Sequence, residues 1–116
     1  MKVCITAVGS GLFAQIDPRF GRSQYFTIVD TETMEHKSLE NPNVEAAGGA
    51  GPQSAQIMAD EGVDAIITRN VGPNALATLK TAGIKIYMAT TGSVREGIEA
   101  YKKGGLEEIS DQRVRF

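Results

Sequence analysis

The hydrophobic pattern of the chain changes its period at Pro52, and this change restricts the fold to the α/β class. Before Pro52, three apolar or alternating runs predict strands over residues 3–8, 25–30 and 35–39. After it, three stretches with helical spacing alternate with two short apolar runs, over residues 64–68 and 84–88. The predicted order β-β-β-α-β-α-β-α is typical of a sheet that carries helices on both faces.

The connections between these elements predict how the strands are arranged. A strand–helix–strand crossover is right-handed and joins parallel strands, so strands one, four and five are expected to be parallel. The turn at residues 31–33 is too short for a crossover, so strands two and three form an antiparallel hairpin. We therefore predict a mixed five-stranded sheet in a single domain over residues 1–116, with its core over residues 1–105 and a polar tail over residues 106–116.

The composition excludes several classes of partner. The net charge of −2 gives no general attraction to nucleic acid or to an anionic membrane, so any anion must be attracted by a local site. No apolar run has the length of a membrane span, and the first residues lead directly into a strand, not into a signal peptide. A single cysteine cannot form an internal disulfide, so we expect a cytoplasmic protein.

Loops that contain glycine precede all three predicted helices, and proline accompanies two of them. Glycine lets the backbone approach a ligand closely, proline suits the first helical position, and a helix amino terminus attracts anions. Because ligands bind at the carboxyl ends of parallel strands in such sheets, we expect the three helix ends to meet in one anion-binding cleft. The alternative is that these residues only start helices. The loop residues assigned to the cleft are Gly48, Gly49, Ala50, Gly51, Asn70, Gly72, Thr91, Gly92 and Ser93.

A second candidate cluster is the arginine loop, which we define as residues 17–22, Asp17-Pro18-Arg19-Phe20-Gly21-Arg22. It leaves the first strand at the same edge of the sheet, and arginine offers a planar set of donors suited to an anion. The alternative is a surface loop in which Phe20 contacts the core while both arginines are solvated. The residues assigned to the cleft from this loop are Arg19, Phe20, Gly21 and Arg22.

Residues 9–14 match the dinucleotide-binding pattern G-x-G-x-x-A after a strand, with Asp30 further along the chain. That pattern needs a helix that crosses over to a parallel strand. Pro18 would fall inside this helix, and the distance from Ala14 to Tyr25 is too short for a helix and two loops. We therefore do not expect a nicotinamide site.

The remaining chemically active residues give no catalytic arrangement. Cys4 lies in a run that predicts burial, which favours an inert core thiol, and His36 lies on a polar hairpin, where its ring is expected to be solvated. No pair of carboxylates, and no serine–histidine or cysteine–histidine pair, falls at a plausible shared site. The sequence predicts a protein that is not an enzyme.

Several motifs, in order, resemble the dinitrogenase iron–molybdenum cofactor-binding (NifX-like) family over about the first 105 residues. They are Pro18-Arg19-Phe20-Gly21-Arg22, Gly48-Gly49-Ala50-Gly51-Pro52, Gly62-Val63-Asp64, Asn70-Val71-Gly72-Pro73-Asn74-Ala75 and Gly83-Ile84. The resemblance implies a ribonuclease-H-like three-layer fold with a mixed five-stranded sheet. It also implies a carrier of a molybdenum-containing metal–sulfur cluster, with iron or copper as the second metal, in cofactor assembly or storage. The implied partners are this cluster or its precursor and the proteins that donate or accept it.

One residue departs from the pattern of the family. Many members carry histidine just before Phe-Gly-Arg, where this chain has Arg19, and small molybdenum–copper sulfide carriers share the Pro-Arg-Phe-Gly-Arg form. With Cys4 expected in the core, no soft ligand is left at the predicted edge. We expect the cluster to be held as a whole anion, by backbone N–H groups and arginines, without bonds from protein to metal.

Two other functions use the same features. A nucleotide- or phosphate-dependent enzyme could use the anion cleft, but Mg²⁺ needs one or two carboxylates and only Asp17 is well placed. A protein-interaction module could bind an acidic partner on the arginine loop.

Overall fold

The computed structural model describes residues 1–44, 50–89 and 92–109. Within these ranges, six strands form one sheet in the order β3-β2-β1-β4-β5-β6. The elements are β1 (Lys2–Ala7), β2 (Tyr25–Asp30), β3 (His36–Glu40), α1 (Ala50–Asp60), β4 (Ala65–Thr68), α2 (Pro73–Thr81), β5 (Lys85–Met88), α3 (Val94–Lys102) and β6 (Glu107–Ile109).

The α/β class and the strand directions are confirmed. β1 is parallel to β4, and β4 is parallel to β5, as the crossover rule predicts. β2 pairs antiparallel with β1 and with β3, which confirms the hairpin. The ribonuclease-H-like assignment stays a prediction.

The prediction of five strands is wrong, because part of the predicted tail is a strand. β6 pairs antiparallel with β5, with Ile109 opposite Ile86. Ile109 is buried in the core, and Leu106 packs against the opposite face of the sheet. A three-residue edge strand with two exposed glutamates carries too short a pattern to be found from sequence.

The sheet separates two hydrophobic cores. On one face, Cys4 and Ile66 of the central strands lie in a cluster with Met58 of α1 and Leu79 of α2. On the other face, Val3, Ile5 and Ile67 lie in a cluster with Val94 and Ile98 of α3. Successive residues of a strand point to opposite faces, so a strand between two helical layers must be apolar throughout. The apolar runs of β1 and β4 follow from this arrangement.

Helix α1 begins at Ala50, earlier than the predicted start at Pro52. Ala50 and Gly51 therefore belong to the first helical turn, and not to the loop before it. No helix within the described ranges is both long and apolar enough to cross a membrane.

Candidate functional site

An open cleft with a volume of about 370 Å³ lies beside the carboxyl ends of β1 and β4. Its walls come from the arginine loop, the first turn of α1, and the start of α2 with the loop before it. The lining residues are Arg19, Phe20, Gly21, Arg22, Ala50, Gly51, Pro52, Asn70, Gly72, Pro73, Asn74 and Ala75. The structure thus brings together all the described residues that were predicted from the arginine loop and from the first two glycine-containing loops.

The start of α2 presents N–H donors to this cleft. Gly72 is the N-cap, with φ −69° and ψ 163°, and Pro73 has no N–H to satisfy. Leu76 donates its N–H to the Gly72 carbonyl at 2.9 Å, whereas the N–H groups of Asn74 and Ala75 meet no acceptor in the described part of the chain. Such groups at a helix amino terminus form an anion site. Asn74 and Ala75 were not predicted as site residues. They directly follow Gly72-Pro73, and this position at the start of a helix could have indicated their free N–H groups.

The first turn of α1 lies directly against the start of α2. A Cβ atom on Gly51 would be 3.0 Å from the Cβ of Ala75, so the small size of both residues permits the close approach. The first turns of both helices contain no acidic residue, which leaves the positive ends of their dipoles uncompensated by local carboxylates.

The arginine loop is fixed to the loop that precedes α2. Phe20 donates its N–H to the Asn70 carbonyl at 3.1 Å, and Asn70 donates its N–H to the Pro18 carbonyl at 2.7 Å. The Phe20 side chain is 1% exposed, and its ring centroid lies 5.9 Å from that of Phe26. The backbone of Asn70 thus holds the arginine loop against the loop before α2. The side chain of Phe20 attaches the arginine loop to the core.

Asp17 is a buried partner of Arg19. One carboxylate oxygen accepts from Arg19 N at 3.0 Å and from Arg19 Nε at 3.2 Å, and the other accepts from Arg19 Nη2 at 3.2 Å and from Gln24 N at 3.3 Å. Hydrogen bonds to Asp17 raise the pKa of the Arg19 guanidinium. Asp17 is 1% exposed, so its carboxylate is already satisfied and does not face the cleft as a metal ligand. It also balances the charge of Arg19.

Arg22 is the arginine of the cleft whose charge no described carboxylate balances. Its Nη1 donates to the Val44 carbonyl at 3.0 Å, which fixes the side chain without neutralising its charge. The guanidinium keeps further donors for an anion.

Gly21 is needed for the contact between the arginine loop and α1. A Cβ atom there would lie 2.9 Å from Gly51 N, 3.0 Å from Gly51 Cα and 3.2 Å from the Ala50 carbonyl carbon. All three are backbone atoms, so no side-chain rotation can relieve the clash.

We therefore expect Gly21→Ala to lower the free energy of unfolding by about 1–3 kcal/mol. The matched control is Gly72→Ala, because this glycine also lines the cleft but a Cβ atom there meets no described atom within 4 Å. Both variants restrict the unfolded chain equally, and Gly72→Ala also replaces the N-cap of α2, so a lower stability of Gly21→Ala than of Gly72→Ala in urea denaturation reports the clash. Equal stabilities of the two variants would contradict the prediction.

The third predicted helix end does not join this cleft, because α3 lies on the other face of the sheet. Val94 N donates to the Ala14 carbonyl at 2.9 Å, and Arg95 N donates to the Leu12 carbonyl at 2.8 Å. Ser93 completes a capping box with Glu96, the acidic residue of this first turn. The α3 terminus is thus satisfied by the protein itself and is unsuited to an anion.

Gly92 and Ser93 instead belong to this helix cap. Gly92 has a φ of 109°, which favours glycine, and its carbonyl accepts from Ile16 N at 2.9 Å. The expectation that three helix ends share one edge cleft is therefore corrected to two. Three other predicted residues, Gly48, Gly49 and Thr91, lie outside the described residues.

The dinucleotide pattern has a structural role. Residues 9–14 form turns and bends, without a helix, and the carbonyls of Leu12 and Ala14 cap α3. Gly11 has a φ of 90°, and its N–H donates to the Ser38 hydroxyl at 2.9 Å. The sequence predicts no nicotinamide site, because no crossover helix can follow residues 9–14. The structure agrees, since no helix lies among the described residues between β1 and β2.

The described residues contain no group of three or more histidine, cysteine, aspartate or glutamate side chains that could hold a metal ion. Cys4 is fully buried, as predicted, and burial raises the pKa of its thiol, which disfavours the metal-binding thiolate. His36 is exposed on β3, as predicted. The donor set of the cleft therefore suits an anion and not a bare cation.

One relative is similar to this chain in sequence, and two solved structures share its architecture. An uncharacterised protein of Methanocaldococcus jannaschii is 39% identical over 98 residues, which cover 82% of this chain and 83% of that protein. The structure is similar to the apo form of the orange protein from Desulfovibrio gigas, with a TM-score of 0.91 and 33% identity over 95% of this chain and 93% of that one. It is also similar to a Thermotoga protein of the DUF35 family, with a TM-score of 0.82 and 42% identity over 92% and 91% of the two chains.

The family comparison covers the described cleft and most of both cores. The family model described as dinitrogenase iron–molybdenum cofactor matches residues 1–104. This range includes every element from β1 to α3, and all the described residues that line the cleft. The chain belongs to the dinitrogenase iron–molybdenum cofactor family.

Proposed function

We propose that this protein carries an anionic metal–sulfur cluster, or a precursor of one, in the cleft between α1, α2 and the arginine loop. The observation that carries the proposal is the convergence of donors on one cleft. The free N–H groups of Asn74 and Ala75 and the side chain of Arg22 all belong to its walls. A charge-assisted hydrogen bond contributes about 1.5–3 kcal/mol, so a few of them can hold a polyanion without a covalent bond.

The balance of charge in the cleft supports a large, soft anion over a nucleotide. The carboxylate of Asp17 is paired with Arg19, so it supplies no ligand for the Mg²⁺ that a nucleotide-dependent enzyme would need. Several walls are apolar, including Ala50, Pro52 and Pro73. A sulfide-rich cluster spreads its charge over large atoms and loses less hydration beside such walls than a compact oxyanion does.

The finer parts of the proposal rest on the family. Its description names an iron–molybdenum cofactor, which supports a molybdenum-containing cluster with iron as the second metal. Copper as the second metal is proposed only from the resemblance of the Pro-Arg-Phe-Gly-Arg motif to that of small molybdenum–copper sulfide carriers. In this proposal the protein is a cytoplasmic carrier and not an enzyme, and it exchanges the cluster with donor and acceptor proteins during cofactor assembly or storage.

Anaerobic reconstitution tests the proposal. The chain is mixed with tetrathiomolybdate, copper or iron, and sulfide, and is then separated from small molecules by gel filtration. We expect colour and metal to elute with the wild-type protein. Arg22→Ala is expected to weaken binding about ten- to hundredfold, the value of one charge-assisted hydrogen bond.

The matched control is Arg95→Ala, which makes the same change of charge on α3. Arg95 forms an exposed pair with Glu99 at 3.3 Å and does not line the cleft. Wild-type protein that elutes without colour or metal would refute the carrier function. Equal losses in the two arginine variants would remove Arg22 from the site. A stronger thermal shift with nucleotides than with tetrathiomolybdate would favour the enzyme alternative.

A further inference from the structure

The carbonyl groups of the arginine loop and of the residues just after it point into a cluster of buried polar side chains. Ser23 Oγ donates to the Phe20 carbonyl at 3.3 Å. Asn41 Nδ2 donates to the Gly21 carbonyl at 3.0 Å and to the Ser23 carbonyl at 2.9 Å. Ser54 Oγ, from the second turn of α1, also donates to the Gly21 carbonyl, at 3.2 Å. We call Ser23, Asn41 and Ser54 the carbonyl clamp.

The carbonyl clamp cannot rearrange without leaving polar groups unpaired in the interior. Ser23 and Ser54 are fully buried, and Asn41 is 6% exposed. The remaining polar atom of Asn41, Oδ1, accepts from Asn43 N at 2.9 Å, so both ends of its side-chain amide are engaged. An unpaired buried polar group is costly, and therefore the clamp fixes the orientation of the peptides that it holds.

This orientation determines where the following N–H groups point. In a trans peptide the carbonyl and the next N–H point in opposite directions, and no cis peptide occurs among the described residues. Inward carbonyls of Phe20 and Gly21 thus turn the N–H groups of Gly21 and Arg22 away from the clamp. The peptide between Ser23 and Gln24 follows the same rule. Its carbonyl accepts from Asn41, and its N–H, on the opposite side, donates to an Asp17 carboxylate oxygen at 3.3 Å.

The two residues that carry these N–H groups belong to the wall of the cleft. Gly21 and Arg22 both line it, and neither N–H donates to an acceptor that belongs to residues 1–44, 50–89 or 92–109. Asn41 and Ser54 do not line the cleft. We infer that Asn41 and Ser54 are positioning residues, which hold the Gly21 carbonyl and so aim the Arg22 N–H group at the bound anion from behind the cleft wall. This inference rests on the proposed function.

The test is a titration with tetrathiomolybdate at several salt concentrations, with the full chain as wild type, Ser54→Ala and Asn41→Ala. We expect Ser54→Ala to weaken binding about two- to tenfold, the value of one hydrogen bond, and Asn41→Ala to weaken it further. Neither variant removes a charge, so the slope of affinity against salt stays that of the wild type. Arg22→Ala, in contrast, reduces the slope.

The matched control is Thr27→Val, which removes another fully buried hydroxyl, bonded to Ser38 at 3.0 Å on the hairpin. Its affinity is expected to equal that of the wild type. Wild-type affinity in Ser54→Ala, or an equal loss in Thr27→Val, overturns the inference. If Asn41→Ala does not fold, Ser54→Ala carries the test.

A second measurement needs no ligand. Residual dipolar couplings report the direction of the Gly21 and Arg22 N–H bonds in the unliganded protein. We expect the Arg22 coupling to change in Ser54→Ala and Asn41→Ala while the couplings of β1 stay constant. Unchanged couplings overturn the inference even where binding is lost. A wild-type protein that binds no tetrathiomolybdate refutes the proposed function, and the couplings still decide whether the clamp orients the peptides.

Discussion

Replacing Phe20 by alanine is expected to lower the free energy of unfolding by about 3–5 kcal/mol, the usual cost of removing a buried aromatic ring. Phe20 is 1% exposed and belongs to the core beneath α1 and α2. The substitution leaves a cavity and removes the ring contact with Phe26 at 5.9 Å. Since the arginine loop, to which Phe20 belongs, is attached to the core by this side chain, the variant should also lose the shape of the cleft.

Urea denaturation checks this value, with Phe13→Ala as the control. Phe13 is 78% exposed, so its removal should change the free energy of unfolding by no more than about 0.5 kcal/mol. Phe20→Leu, which keeps most of the apolar volume, should lie between the two alanine variants. A Phe20→Ala protein as stable as Phe13→Ala would show that the core does not depend on this ring.

Asp17→Asn is expected to lower the free energy of unfolding by about 2–3 kcal/mol. The carboxylate accepts four hydrogen bonds, and each of its oxygens faces at least two N–H donors. An asparagine amide must turn its own NH₂ towards one of these pairs, which leaves those N–H donors without their acceptor at the buried Asp17 position. The value is below that of a fully buried ion pair because the Arg19 side chain is 53% exposed and water can solvate it.

The control for this second prediction is Glu99→Gln, the same change from carboxylate to amide in the Arg95–Glu99 pair of α3. Both of these side chains are about half exposed, so we expect a loss of no more than about 0.5 kcal/mol. Denaturation at low and high salt adds a second comparison. If the two variants lose the same free energy of unfolding, the hydrogen bonds of the Asp17 carboxylate do not stabilise the arginine loop.

The pattern of apolar residues was sufficient to predict the layers of this fold, because each of the central strands is buried on both faces. The approach of the arginine loop to the loop before α2 could also be predicted, since both follow parallel strands that end at the same edge. β6 was missed because a strand of three residues, two of them exposed glutamates, has no period to detect.

The errors at the site have a common physical cause, which is backbone hydrogen bonding between distant segments. The sequence around Ser93 has every local sign of a helix start, and the capping box is confirmed. The N–H groups at this terminus donate to the carbonyls of Leu12 and Ala14. Every residue has a carbonyl, so the sequence does not show which carbonyls will reach the helix end. The pairing of Asp17 with Arg19 has a different, local cause: the two residues are two positions apart in one loop, and the conformation of that loop decides whether the carboxylate meets Arg19 or faces the cleft.

The walls of the cleft come from three segments that are far apart in the sequence, around Arg22, Gly51 and Asn74. No one of them can form the cleft alone, so a cargo held there would bind only the folded chain. Such a ligand adds about 2.7 kcal/mol to the free energy of unfolding when its concentration is a hundredfold above its dissociation constant. In a cell, the abundance of this protein would then follow the supply of its cargo, because proteases remove chains that unfold while empty.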